Sequence, residues 1–227
     1  MLGILGGLGP AASCYFYDLL VRLACDAQGC PAKQDQDHPD LLLYSKASIP
    51  DRSACLLGRG ESPLPALTEG VALLERAGAA AIAVPCATAH HWYPGMQAAV
   101  NVPVLNMLEL TAKALRREGV TKAALLATEG SYVSGAFAAA LEREGVAPLL
   151  PSKEGRCALM DVIYGIKAGH MPDVEVLEAL AAPLAARGAQ KVILGCTELS
   201  LFAREGLSEL YIDAMQVLAE NLLCYRS

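Results

Sequence analysis

What this chain has little of narrows its function before any motif is considered. Lys and Arg number 18 against 24 Asp and Glu, a net charge of −6 over 227 residues, and no long basic run occurs. A nucleic acid, which needs a basic face, is therefore not an expected partner. No apolar stretch approaches the ~20 residues that cross a bilayer, so no membrane partner is expected. The opening residues Met1 to Leu5 carry no basic segment ahead of their apolar run, and they read as a strand rather than a leader. Histidine is scarce, at four residues. There is no Cys-x-x-Cys pair, and Cys25 and Cys30 have no neighbouring histidine to complete a zinc set; no metal is expected.

What is present is apolar bulk. The apolar fraction is 54% and the mean hydropathy +0.35, which fits a chain with a sizeable buried core in one large or two small domains. Eight cysteines occur. In a leaderless, core-rich chain of this length they read as free thiols, and a cytoplasmic location is the default expectation. Cys14, Cys157 and Cys224 fall in helical patterns and read as small core residues.

Short apolar runs alternate with longer amphipathic stretches, the pattern of βαβ units and parallel sheets, so the fold class is α/β. Strands are expected at 1–5, 41–45, 80–84, 104–105, 122–127, 146–151, 190–194 and 210–212. Helices are expected at 11–25, 65–77, 91–100, 107–118, 159–168, 173–187 and 214–224, with another running from the 128–131 turn to Glu144. Residues 107–118 bridge to a second half, in which 122–127 repeats the role of the first strand. The closing helix is expected to return to the first half. The domains are then 1–106 plus 211–227, and 107–210.

Two cysteines stand in matching places in these halves, 110 positions apart (196 − 86). Each ends a buried-strand pattern: Ile82-Ala83-Val84-Pro85-Cys86-Ala87-Thr88 and Val192-Ile193-Leu194-Gly195-Cys196-Thr197. Open α/β sheets bind ligands beyond the carboxyl ends of their strands, and a strand-to-helix junction favours an anion such as a thiolate. One such cysteine would read as a structural thiol. Two in parallel contexts could place thiols on opposite faces of one small substrate. Other segments keep two readings. Gly6-Gly7-Leu8-Gly9-Pro10 lacks the later Lys-Ser/Thr of a phosphate loop; it is a plain tight turn or a carboxylate cradle. Arg52, in Ile49-Pro50-Asp51-Arg52, either grips a carboxylate through its fork or pairs with Asp51 at the surface. His90 and His91 could orient the Cys86 loop. Lys167 is a solvated helix-end lysine or a ligand.

With these residues assembled, the chain resembles the aspartate/glutamate racemase family, in the branch that uses no pyridoxal phosphate. The resemblance rests on the Gly-Gly-Leu-Gly-Pro opening, Ile49-Pro50-Asp51-Arg52, Pro85-Cys86-Ala87-Thr88-Ala89-His90, Ile166-Lys167-Ala168-Gly169, Leu194-Gly195-Cys196-Thr197-Glu198-Leu199 and Tyr211-Ile212-Asp213. It implies two pseudo-symmetric α/β domains, each a short parallel sheet flanked by helices, with the active site in the cleft between them, and commonly a homodimer. It implies no cofactor, a small acidic amino acid as substrate, and Cys86 and Cys196 as acid/base thiols. Arg52 and Lys167 carry over as binders of the side-chain carboxylate, and Thr88, Thr128 and Thr197 as donors to the α-carboxylate. Gly9, Ala87 and Glu198 stand beside the substrate. Glutamate racemases proper usually have His where Glu198 stands, which places this chain nearer the aspartate-type and broad-specificity branch. Ala87 departs from the family's usual Asn; Leu8 and Ser13 replace the common Met and Thr. Neighbouring activities of the superfamily, maleate cis–trans isomerisation and hydantoin racemisation, and a non-catalytic amino-acid-binding relative are the alternatives.

Overall fold

The computed structural model describes residues 1–25 and 29–226, leaving aside the side chains of residues 204 and 205. The first half runs β1 (Leu2–Gly6), α1 (Pro10–Leu23), β2 (Leu41–Ser45), α2 (Arg52–Leu56), α3 (Leu64–Arg76), β3 (Ile82–Ala83), a 3-10 segment at Ala87–Trp92 and α4 (Tyr93–Ala98). After α5 (Met107–Arg117) come β4 (Lys122–Leu126), α6 (Glu129–Ser134), α7 (Ala136–Arg143), β5 (Ala147–Leu149), α8 (Lys153–Lys167), α9 (Val174–Ala186) and β6 (Lys191–Leu194). A second 3-10 segment at Leu199–Glu205, β7 (Tyr211–Asp213) and α10 (Ala214–Leu223) close the chain.

The strands form two sheets, ordered β2-β1-β3 and β5-β4-β6-β7, and every pairing is parallel. In both, the strand that opens the half lies between the next two. The period-2 alternation of each strand splits its residues between layers. Leu2 and Ile4 of β1, Ala123 and Leu125 of β4, and Ile193 of β6 face a shared central core. Leu5 faces an outer layer with Leu67, Val71 and Leu74 of α3. Ala124, Leu126, Val192 and Leu194 face another with Leu159 and Ile163 of α8 and Leu177 of α9. Helices α1, α5, α7 and α10 fill the space between the sheets. Helix α1 shows why: Ala12, Tyr15, Phe16, Leu19 and Leu20 make one buried stripe at helical spacing. Burying each of the larger side chains stabilises the fold by about 1.5–3 kcal/mol.

The ends of the two halves correspond. In the first sheet Val104 bridges Ile82 in parallel, and Asn106 then caps α5, its side chain accepting from Leu108 N and Glu109 N. In the second sheet β7 pairs with β6, and Asp213 caps α10, accepting from Met215 N. Residues 211–213 therefore extend the second sheet, where the sequence reading had returned 211–227 to the first unit. Only α10 crosses back, packing on α1 as well as α5.

Several local expectations shift. Asp51 caps a short helix, α2, through a 2.7 Å bond from Ala54 N, in a stretch where no helix was expected. The helix expected up to Glu144 breaks at Gly135, whose φ of +65° only glycine adopts freely. Helix α8 starts at Lys153, six residues before the expected start, because Ser152 caps it by accepting from Gly155 N. Cys14, Cys157 and Cys224 are exposed free thiols rather than core residues; Cys14 lies off the buried stripe of α1.

Candidate active site

The carboxyl edges of both sheets open on the same place. Cys86 follows β3 in extended conformation and starts the Ala87–Trp92 turn. Its carbonyl lies 2.9 Å from His90 Nδ1, and His90 Nε2 lies 3.2 Å from Leu105 O. His90 thus ties the Cys86 loop to the adjoining chain, and burial holds its pKa below the usual imidazole value. His91 turns away, to Ser134 Oγ at 3.1 Å. On the other side Gly195 N donates to Leu126 O at 2.8 Å, carrying the β6 pairing one residue further, and Cys196 comes next. The two thiols are 6% and 5% exposed and line one cavity.

Hydroxyls stitch the halves together at that cavity. Thr88 Oγ1 is 3.0 Å from Thr128 Oγ1 and 2.9 Å from Ser131 Oγ. Ser53 Oγ donates to Thr128 Oγ1 at 3.3 Å, and Thr128 also caps α6. All four are buried. Ser53 and Ser131 were not singled out from the sequence. Their signals were positional: Ser53 follows the Arg52 that starts α2, and Ser131 stands three residues after a helix-capping threonine.

Three charged side chains complete the site. Arg52 Nη2 donates to Leu8 O at 2.6 Å and Nη1 to Pro50 O at 3.2 Å, while Nε is buried without a partner. The Asp51–Arg52 surface pair is not the arrangement found; Asp51 caps and Arg52 turns inward. Burial works against the Arg52 charge, while Cys86 first, then Asp51 and Glu198, raise the pKa on balance. Lys167, the last residue of α8, brings Nζ to 3.9 Å from Glu198 Oε1. Burial lowers the Lys167 pKa and Glu198 and the cysteines raise it, the rise prevailing. Glu198 is 4% exposed. Cys196 Sγ donates to its Oε2 at 3.0 Å, and its Oε1 has no hydrogen-bond partner. Burial first, then the Glu198 charge, pushes the Cys196 thiol well above its ordinary range.

Gly9 sits against this carboxylate: a Cβ there would come within 2.5 Å of Glu198 Oε1. The turn holding Gly9 is fixed by Ser13, whose Oγ accepts from Gly7 N at 2.9 Å and donates to Gly9 O at 2.8 Å.

Of the residues expected at the site, Arg52, Cys86, Ala87, Thr88, Thr128, Lys167, Cys196, Thr197 and Glu198 line the one cavity, together with Leu8, Ser53 and Gly195. Gly9 lines an adjoining space of about 200 Å³ instead, on the far side of Arg52, Lys167 and Glu198. The cysteine cavity itself amounts to about 20 Å³, room for little more than one water. An amino acid enters only if the cleft widens. Among the described residues no group of His, Cys, Asp or Glu is disposed to hold a metal ion, and no helix is long and apolar enough to cross a membrane. Of the two cations at this cavity Arg52 is buried, whereas the Lys167 side chain is 29% exposed.

Known proteins share this architecture. The chain is 29% identical over 223 residues to the broad specificity amino-acid racemase RacX of Bacillus subtilis (strain 168), covering 97% of this chain and 96% of that one. Among solved structures, the aspartate racemase of Picrophilus torridus superposes with a TM-score of 0.86 at 29% identity, over 98% of this chain and 92% of that one. An aspartate racemase homologue from Pyrococcus horikoshii OT3 superposes with a TM-score of 0.76 at 25% identity, over 98% and 96%. A family model for Asp/Glu/Hydantoin racemase matches residues 5–222, and the chain belongs to that family.

Proposed function

We propose that this chain racemises a small acidic amino acid, aspartate or glutamate, by two-base catalysis between Cys86 and Cys196 with no added cofactor. The observation that carries the reading is the shared cavity: one thiol from each sheet edge, with Arg52 and Lys167 beside them. One cysteine, as thiolate, removes the α-proton. The other, as thiol, delivers a proton to the opposite face, and the roles exchange for the reverse direction. The α-proton is weakly acidic, so the developing carbanion needs donors aimed at the α-carboxylate in a water-poor site. Thr88, Thr128 and Thr197 supply them, and Arg52 and Lys167 hold the side-chain carboxylate. The small cavity supports a cleft that opens to admit substrate and closes for the proton transfers. A soluble, cytoplasmic homodimer is the accompanying expectation.

The test is exchange at the α-carbon. The protein in deuterated buffer is given L- and D-aspartate and L- and D-glutamate, read by NMR and chiral chromatography. Deuterium incorporation with inversion supports the reading and names the substrate. No exchange with any of the four would sink it, and Ala87 would then mark a changed function.

A further inference from the structure

The two thiols line one cavity with Arg52 and Lys167 but have different partners. The loop of Cys86 is braced at its carbonyl by His90. Cys196 donates to Glu198 Oε2 at 3.0 Å. The Glu198 carboxylate is buried, its Oε1 lacks a hydrogen-bond partner, and Lys167 Nζ stays 3.9 Å away. Its Oε1 sits against Gly9, where a Cβ would come within 2.5 Å. Among the described residues, the Cys196 Sγ proton is the one hydrogen-bond donor to this carboxylate.

We propose that the resting site is asymmetric: Glu198 is the positioning residue that holds a proton on Cys196, so that Cys86 is the thiol that begins as base. The inference rests on the two-base reading and adds which thiol begins as base. In the first half-cycle the Cys86 thiolate takes the α-proton and becomes a thiol. Cys196 gives its proton to the opposite face and becomes a thiolate. The charge has then moved from Cys86 to Cys196, where it meets the Glu198 carboxylate at hydrogen-bond distance. That form is the higher in energy, and it relaxes by losing the Cys86 proton and gaining one at Cys196 through solvent. The enantiomer whose α-hydrogen faces Cys86 is processed directly from the resting form; the other must wait for the minor one.

The groups facing Cys196 set the expectation. Glu198 lies on its own loop, Lys167 comes from α8, Tyr132 from α6, and Cys86 with Arg52 lie across the cavity. Burial and Glu198 favour the thiol, and Lys167 opposes them. The experiment is a thiolate titration by absorbance near 240 nm, which needs neither turnover nor reagent access. Any thiolate present at pH 7 should be lost with Cys86→Ala and kept with Cys196→Ala. Glu198→Gln, nearly isosteric, should raise the Cys196 thiolate fraction about tenfold or more at pH 8. Glu198→Asp, which keeps the anion, should titrate like wild type and separates charge from packing. A neutral-pH thiolate lost with Cys196 instead, or a Cys196 titration unmoved by Glu198→Gln, overturns the proposal. Absence of racemisation alongside the expected titration would instead count against the two-base function.

Discussion

The two halves of this molecule share a strand order and a cysteine beyond the matching strand, and diverge in what surrounds that cysteine. After β1 the chain makes a glycine turn that contributes carbonyls and open space: Leu8 O takes Arg52, and Gly9 makes room for Glu198. After β4, at the corresponding place, it makes a hydroxyl turn in which Thr128 and Ser131 bond Thr88 and Ser53 of the first half. Beyond β3 the cysteine is followed by Ala87 and Thr88 and braced by a buried imidazole; beyond β6 it is followed by Thr197 and Glu198 and bonded to a carboxylate. A repeated backbone thus supplies two thiols in equivalent places with unequal neighbours. Under the proposed two-base mechanism those neighbours fit the thiols to unequal jobs.

Breaking the equivalence outright has the largest expected effect. Cys86→Ala and Cys196→Ala should each lower racemisation in both directions by about 10²–10⁴-fold, the usual worth of a positioned acid or base. The two differ in what survives. With one thiol left, proton exchange at the α-carbon can continue from a single face without inversion. Exchange rates followed by NMR separate the two activities, and full racemisation in either variant would end the two-base account.

The capping pair sharpens the comparison next. Asn106 and Asp213 hold matching places, each capping the helix after its half's last strand. Asp213 Oδ1 accepts from Ser200 Oγ at 2.6 Å and Met215 N at 2.9 Å, while Oδ2 is buried without a partner. Burial raises its pKa from 3.8 to about 6, with the hydrogen bonds opposing. The folded-state value lies above the unfolded one, so ionisation works against folding. The contribution of the neutral acid is fully present below pH ~4, is lost as pH rises to about 6, and stays lost above. A shift of that size corresponds to roughly 3 kcal/mol. Asp213→Asn, copying the first half, should gain on wild type by up to about that amount in urea unfolding between pH 4 and 7. Parallel pH profiles for the two proteins would rule out an ionising Asp213.

Most of this architecture was legible because it is periodic. The alternation in Leu2–Leu5 and Ala123–Leu126, and the stripe from Ala12 to Leu20, determine layers through burial alone, and the paired Pro/Gly-Cys-x-Thr contexts mark the cavity. What escaped the sequence is set by contacts between distant segments. Nothing near Ser53 announces a hydroxyl 75 residues away, and Asp51 beside Arg52 reads as an ion pair until the backbone turns one into a cap and the other inward. Residues 211–213 look like a return to the first domain. Only their pairing with β6 shows them repeating the role of Val104.

The cations offer a smaller test of the difference between the cavity's ends. Lys167 reaches Glu198 at the edge of ion-pair distance and is partly exposed, whereas Arg52 is bonded to main chain. Lys167→Met should therefore leave the fold intact and raise KM for an acidic substrate by about 10–100-fold, the worth of one charge-assisted hydrogen bond at 1.5–3 kcal/mol. Arg52→Met should do this and also lower Tm, since Leu8 O and Pro50 O lose their donor. Equal effects of the two substitutions on both KM and Tm would mean that the cations are interchangeable and the asymmetry at this end is not real.

Ala87→Asn restores the residue usual in the family at a wall of the cysteine cavity. The corresponding place after Cys196 is Thr197, so the present chain has a polar side chain on one side and a methyl on the other. An amide at position 87 adds one neutral hydrogen bond to substrate, worth about 0.5–1.5 kcal/mol, and should raise kcat/KM for the preferred acidic amino acid by roughly two- to tenfold. The gain should be specific. A substrate whose charged groups lie on the Thr197 side would show none, and the ratio of kcat/KM for aspartate over glutamate measures that difference directly. A fall for both would show that Asn crowds the small cavity, and that Ala87 is a packing requirement of this chain's closed cleft rather than a missing contact.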